Sequence, residues 1–553
     1  MLQTTRLKKQ MWVMLAAVVL AALPFPSPAQ GPGQSQEIPV IVTLADHVNP
    51  GDLAGRDTPK GLLRAQLITA LKAKAGATQG PLVAFLEGRG ASRVESLWLI
   101  NGLAVTAPAE VIQQLASFPG IESIRPDAEI LAEPSVQGSA APPEWNLSMV
   151  RAPEMWAAGQ TGSGIVVANL DTGVDANHPD LAPGWRGGSN SWFDPNGQHA
   201  TPYDSTGHGT QTMGLLVGGG VGGSAIGVAP DAQWIAVKIF NDAGVASVSG
   251  IHLGLQWVLD PDGVPSTDDG ADVVSNSWGY SQLVNTCYQE FEQDIKTLKA
   301  AQVAVVFSAG NQGPSGFTSE SPANNPSGYA IGAVDLTGAV AGFSSRGPSA
   351  CGGTIYPEVV APGVSVRTAD LTSGGMFPDS YISVTGTSFA APHVSGAMAL
   401  LLSGNPAATV AELEYVLKNT ALSCGGSVPN NTCGYGLIDI IAAGALLGSG
   451  PLCIDNDGDG FFGRANCGTA VDCNDYDSRI NPAACDIIGD GIDQNCDGAD
   501  RTKGKACPVS DGGGSTGGTE GSGKTCSDGL DNDGDGLIDC KDPNCSKNRS
   551  CGK

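Results

Sequence analysis

Asp171, His208 and Ser388 stand in three short segments whose residue types could together carry out acyl transfer. Asp171 ends an apolar run in Leu170-Asp171-Thr172-Gly173, and His208 lies in Gly207-His208-Gly209-Thr210. Ser388 lies in Gly386-Thr387-Ser388-Phe389-Ala390-Ala391-Pro392-His393. A serine hydroxyl is a poor nucleophile until a base within hydrogen-bond reach takes its proton. An imidazole, with an ordinary pKa near ~6.5, takes that proton at neutral pH and returns it to a leaving amine. A carboxylate beside the ring holds its tautomer and stabilises its charged form. Each segment alone has a plainer reading: a turn, a satisfied structural histidine, a serine N-cap. The chain order Asp, His, Ser is nevertheless one in which this triad recurs. The joint pattern points to a triad.

Such residues need a frame that brings them together. From about Trp145 to Gly448, apolar strands alternate with helical stretches. The strands are expected at Ile165–Leu170, Trp234–Phe240, Asp272–Ser277, Val303–Ser308 and Tyr329–Val334, and the helices at His208–Val217, Ser249–Leu259, Glu290–Ala300 and Ser388–Leu402. Continuous apolar strands between helices imply an α/β domain, its parallel sheet covered on both faces. The three segments then fall at strand C-terminal ends and helix starts, where such sheets carry their chemistry.

Ahead of it, Ile38–Ile130 reads as a small α+β unit. Its strands are expected at Pro39–Leu44, in two runs about Asn101-Gly102 within Arg93–Thr106, and at Ile121–Ile130; its helices at Gly61–Lys74 and Pro108–Phe118. A Pro- and Ala-rich joint, Glu133 to Pro143, separates the two.

The segments Asn169–Asp175, Gly207–Thr210, Ile226–Pro230, Ser308–Asn311 and Gly386–His393 resemble the subtilisin-like serine proteases, the subtilases. That resemblance implies a subtilisin-like peptidase domain over 145–448 and a serine endopeptidase acting on polypeptides without a catalytic cofactor. It assigns catalysis to Asp171, His208 and Ser388, with Asn311 as side-chain donor to the oxyanion. It makes Ser277-Trp278-Gly279 and Gly244-Val245-Ala246 two strand edges that clasp an extended substrate. Glu320 falls near the floor of the primary specificity pocket, which would favour a basic side chain. Residues 30–135 are similar to the family's ferredoxin-like propeptide, an intramolecular inhibitor and chaperone. Two departures stand out. Gln211 replaces a common second histidine outside the triad, and the Gly-rich loop Gly218–Ser224 puts the family's calcium site at Asp180 in doubt.

After Gly450 the composition turns to Asp, Gly, Asn and Cys. Asp455-Asn456-Asp457-Gly458-Asp459-Gly460 and Asp531-Asn532-Asp533-Gly534-Asp535-Gly536 repeat alternating carboxylates before a Gly, a pattern that wraps oxygens about a hard cation. Asp539 and Asp542 continue the second at EF-hand-like spacing, and Asp472, Asp475, Asp490, Asp493 and Asp497 add candidates. The stretch resembles MopE-type and thrombospondin type 3 metal-binding repeats. Calcium is favoured over copper, because no His follows His393 and no Met follows Met398. Residues 451–507 and 525–553 form the two repeats, joined by a Gly/Ser linker at 508–524.

Composition narrows the remaining classes. The net charge of −26 argues against nucleic acid and anionic membrane as partners. Of 14 Cys, ten lie from Cys453 onward, which points to an oxidising compartment. Cys424 and Cys433 are close enough in sequence to pair. Arg6, Lys8 and Lys9 precede an apolar run, Met11–Leu23, and the small-residue site Ser27-Pro28-Ala29. This reads as a signal peptide over residues 1–29, hence secretion, with no membrane insertion after its removal. An esterase on the same triad would carry a Gly-x-Ser-x-Gly elbow, and Gly386–Ala390 lacks the second Gly.

Overall fold

The computed structural model describes residues 37–49, 58–137, 145–373 and 380–450, and residues 452–499 except 456–457, 465–466, 474, 476–477 and 488–492. The expected signal peptide, Asp457, Asp490 and the Asp531–Asp542 loop lie outside the described residues. The chain divides into two units, 1–454 and 455–553.

Seven strands form the central sheet of the first unit, in the order Val359–Pro362, Ala330–Val334, Ala304–Ser308, Val273–Asn276, Val166–Asp171, Gln233–Lys238, Trp192–Phe193. Every pairing in it is parallel. The reason lies in the strands themselves, since a strand buried on both faces reads as a continuous apolar run. Alternate side chains serve opposite cores: Val167, Val273 and Val306 one, Ala168, Val274 and Val305 the other. Register then sets the site. Leu170 pairs with Asn276, and Asn276 with Phe307. Asp171, Ser277 and Ser308 therefore emerge level with one another along one edge. Asp171 and Ser308 close their strands there, while Ser277 follows the end of its own.

The helix Thr387–Gly404 is buried from Thr387 through Leu402. A helix apolar all round belongs in a core, and this one packs against the helix His208–Val217 and several central strands. His208–Val217 matches its expected range, whereas the strands Val359–Pro362, Val366–Ala369 and Tyr381–Thr385 and the helices Val410–Asn419 and Ile440–Leu447 add to the sequence reading.

The N-terminal part forms a four-stranded antiparallel sheet, ordered Arg93–Leu97, Gly102–Pro108, Glu37–Leu44, Ile121–Pro126. Its first helix corrects the sequence expectation. It runs Lys60–Glu87, well past Lys74, because Leu82 and Leu86 reach the sheet core and outweigh the helix-weakening Gly76, Gly80 and Pro81. The strand expected to end at Ile130 divides in two. Ile121–Pro126 stays in this sheet, while Glu129–Leu131 pairs antiparallel with Val245–Ser247 of the peptidase domain.

Candidate active site

His208 opens its helix with Nδ1 2.8 Å from Asp171 Oδ1. A carboxylate only accepts, so Nδ1 carries the proton and Nε2 is the nitrogen left without one. Asp171 is fixed in turn by the Thr172 N–H at 2.7 Å. Asp204, absent from the sequence reading, organises this corner. Its buried carboxylate accepts from Thr172 Oγ1, from the Thr206, Gly207 and Thr210 N–H groups, and from Thr210 Oγ1. Backbone donors gathered at a helix start attract a carboxylate. The signal available was an acidic residue four positions before His208, which is common in any turn. Burial alone would lower the His208 pKa, but Asp171, Asp204 and Glu133 outweigh it and hold the ring above its ordinary value.

Ser388 stands in the first turn of its helix, beside Phe389, whose ring centroid lies 5.6 Å from that of His208. Pro392, four residues on, has no N–H to give the Ser388 carbonyl. Ser277 Oγ supplies the missing donor at 2.8 Å, and Ser388 Oγ lies 3.4 Å from the Ser277 carbonyl. The expected nucleophile is thus tied to the strand edge expected to hold substrate. His393 of the same motif has another role. Its Nδ1 donates to the Phe389 carbonyl, Asn146 Nδ2 meets its Nε2 at 2.8 Å, and burial drops its pKa to about 4. It is a neutral structural histidine.

Asn311 follows Gly310, whose φ of +97° turns the chain after the strand Ala304–Ser308. Its Oδ1 accepts from Thr387 N–H at 2.9 Å and Thr387 Oγ1 at 3.0 Å. Only an oxygen accepts from a backbone N–H, so the amide orientation is fixed and Nδ2 faces the cleft. That Nδ2 donates to Glu133 Oε2 at 2.8 Å. The chain's own joint therefore occupies the donor expected to face the oxyanion.

The expected edge Gly244-Val245-Ala246 is also occupied. Val245 and Ala246 pair with Leu131 and Ile130, and Ala132 N–H donates to the Gly244 carbonyl at 2.8 Å. On the other edge, the Trp278 indole packs edge-on against Phe291 and Phe307 in the core, so only the backbone of this segment can serve a substrate. Glu320 is 2% exposed, and its Oε1 accepts no hydrogen bond. A Cβ on Gly310 would run into its carboxyl group, and one on Gly279 would come within 3.3 Å of Oε2. Two side-chain-free positions thus leave room for a carboxyl group behind Asn311. Burial first, and the nearby Glu133 second, push the Glu320 pKa up to about 8.

Residues 162–436 match the model of the Subtilase family. Bacillopeptidase F of Bacillus subtilis (strain 168) is 34% identical over 427 residues, covering 70% of this chain and 29% of that protein. An alkaline protease of Alkalihalobacillus alcalophilus is 35% identical over 342 residues, 62% of this chain and 78% of that one. Subtilisin E of Bacillus subtilis (strain 168) is 33% identical over 347 residues, 62% of this chain and 81% of that one. The chain belongs to the subtilase family. Subtilases are serine-type endopeptidases. The chain nevertheless spans less than a third of bacillopeptidase F.

Residues 472–500 and 522–540 match a metal-binding motif of the MopE type. Within 472–500, Asp486, Asp493 and Asp497 bring one carboxylate oxygen each to within 4.8 Å of one another. Asp486 escaped the sequence reading, because its neighbours do not alternate with acids. Asp472 lies by Cys473 and Cys496, but those two form a disulfide and offer no thiolate. Asp455 accepts from the Gly458 and Gly460 N–H groups, and Asp459 from Phe461 N–H, so both line a tight acidic turn. Cys424 pairs with Cys433, as their spacing suggested, and Cys287 with Cys351. Asp180 is engaged elsewhere, accepting from Tyr381 Oη and Val221 N–H at 2.6 Å each. Among the described residues no helix is long and apolar enough to cross a membrane.

Proposed function

We propose that this chain is an exported serine endopeptidase, made as a precursor that its own N-terminal unit inhibits. The reading rests above all on one observation: Asp171 orients His208 at the edge where Asn311 points a fixed amide donor. In the reaction, His208 Nε2 takes the proton of Ser388 Oγ as Oγ bonds to the substrate carbonyl carbon. Asn311 Nδ2 and the Ser388 N–H stabilise the oxyanion. The amine leaves with the proton from His208, and water then releases the acyl group by the same route. Substrate backbone would replace Glu129–Ala132 along Val245–Ser247, which supports polypeptide as the substrate class.

The occupied cleft supports inhibition by residues 30–135. An incoming carbonyl must displace Glu133 from Asn311 and the Glu129–Leu131 strand from its edge. The Glu320 Oε1, which accepts no hydrogen bond, supports a basic side chain on the acyl side of the scissile bond. Calcium is the ion we assign to the Asp-rich tail, where it would order a segment poor in apolar residues. No residue of the triad calls for it.

Labelling tests the central claim. The processed enzyme should take up a fluorophosphonate at Ser388, and lack of labelling in folded, processed enzyme would overturn the reading. Asn311→Leu should keep peptide binding but lose about 100- to 1,000-fold in turnover, the scale known for one such donor in subtilisin. The pH profile gives a separate check. The base works only when neutral, so carboxylates that raise the His208 pKa push the acid limb of kcat/KM upward. Asp204→Asn should move that limb to lower pH. A limb that stays put removes Asp204 from the electrostatics of the base.

A further inference from the structure

We infer that the loop Asp260–Gly270 is a divalent-cation site of the hard, oxygen-liganded kind that calcium fills, with Lys72 of the N-terminal unit occupying its place in the precursor. Asp260, Asp262 and Asp269 each bring a carboxylate oxygen within 4.8 Å of the others. An acidic cluster alone would signify little, but two further observations point to a ligand. The Asp260 side chain is fully enclosed, and its Oδ1 accepts no hydrogen bond; the buried Oδ1 of Asp269 accepts none either. A buried carboxylate oxygen left unpaired is costly, and a metal ion is one of the few groups able to satisfy two at once. A cation, moreover, already sits there. Lys72 Nζ is paired with Asp260 Oδ2 and donates to the Gly263 carbonyl at 2.9 Å. Carboxylate plus backbone carbonyl is the donor set of a calcium loop.

Lys72 and the nearby Arg186 guanidinium together leave the three carboxylates one charge short. Arg186 itself donates to the Asp269 and Asn190 carbonyls and to Ser191 Oγ, not to the carboxylates. Departure of the N-terminal unit would remove Lys72, opening Asp260 Oδ2 and the Gly263 carbonyl as well. Linkage then makes the two events compete: a cation that needs the place of Lys72 weakens the hold of the N-terminal unit by the same factor that the unit weakens the cation. The competition is partial, because Lys60–Asp272, Arg64–Asp268 and Arg125–Glu290 pair across the same interface.

The release step rests on our reading of residues 30–135 as a removable propeptide; the binding step does not. The test uses full-length chain carrying Ser388→Ala, so that no cutting intervenes, and calcium alone as probe. Equilibrium dialysis at about 1 mM free calcium, the upper end of the range for extracellular sites, compares this parent with Lys72→Gln and with Lys72→Gln/Asp262→Asn. Lys72→Gln should bind one more calcium than the parent, and the added Asp262→Asn, an exposed change, should remove it. The tail is common to all three and cancels. Equal calcium in parent and folded Lys72→Gln would overturn the site. Should Lys72→Gln fail to fold, a second comparison decides. Asp262→Asn should cost the processed enzyme one calcium and the Ser388→Ala precursor none, and equal stoichiometry with and without Asp262 in processed enzyme overturns the proposal. A wild-type chain that never shortens would count against the propeptide reading alone, leaving the Lys72→Gln comparison intact.

Discussion

Full-length chain carrying Ser388→Ala is expected to remain in one piece, while the unsubstituted chain separates its N-terminal unit. Loss of a triad nucleophile lowers turnover on the order of a million-fold. The effect should be visible on the precursor, because the joint already lies in the cleft. Glu129–Leu131 runs along Val245–Ser247, Glu133 reaches Asn311, and Val136–Gln137 pairs with Val384 and Thr385, just before Ser388. A segment held this way is cut in a unimolecular reaction, so the rate should not change on dilution. The cut is expected between about Ile130 and Trp145. Gel mobility of purified protein over time, at two concentrations, measures both points. A Ser388→Ala chain that matures alone at the normal rate would show that another protease does the cutting.

The candidate triad segments stood out in the sequence because each proposed member sits in a short segment with its own turn chemistry. Gly207, at φ +90°, turns the chain directly into the helix that His208 opens. The parallel sheet was legible too, since strands such as Val166–Asp171 and Ala304–Ser308 are apolar enough to be buried on both faces. What the sequence hid depends on distant pairing. Asp204 looks like any loop acid until five donors converge on its carboxylate. The helix Lys60–Glu87 looks shorter than it is, because local propensity at Gly76, Gly80 and Pro81 says nothing of the sheet that Leu82 and Leu86 reach. Glu133 reads as an ordinary linker residue. Its role comes from a contact 178 positions away with Asn311. The strand break after Pro126 has the same origin, since Glu129–Leu131 finds a partner that belongs to the peptidase domain.

Glu320→Gln is expected to change which bonds the enzyme cuts, with little change in how it cuts them. The carboxyl group is enclosed, has an oxygen without a partner and lies between Gly279 and Gly310, behind Asn311. A Lys or Arg side chain entering there would pair with it in a site closed to water. Breaking one partner of a buried charged pair costs roughly 2–5 kcal/mol, which converts to about 30- to 5,000-fold in kcat/KM. Glu320→Gln should therefore lose that factor on substrates with a basic residue on the acyl side, yet keep its rate on neutral ones. The sign of the pH dependence follows from the raised pKa of about 8. Below it the free carboxyl holds a proton that a cationic side chain must expel, so preference for basic residues should strengthen as pH rises towards that value. Glu133 contributes to the elevation and leaves with the N-terminal unit, so the mature enzyme should cross over at somewhat lower pH. A peptide-library profile at several pH values, with both enzymes, measures all of this. A strict preference for large apolar residues in the unsubstituted enzyme would remove Glu320 from substrate selection. In that case its buried, unpaired Oε1 would need a different cation.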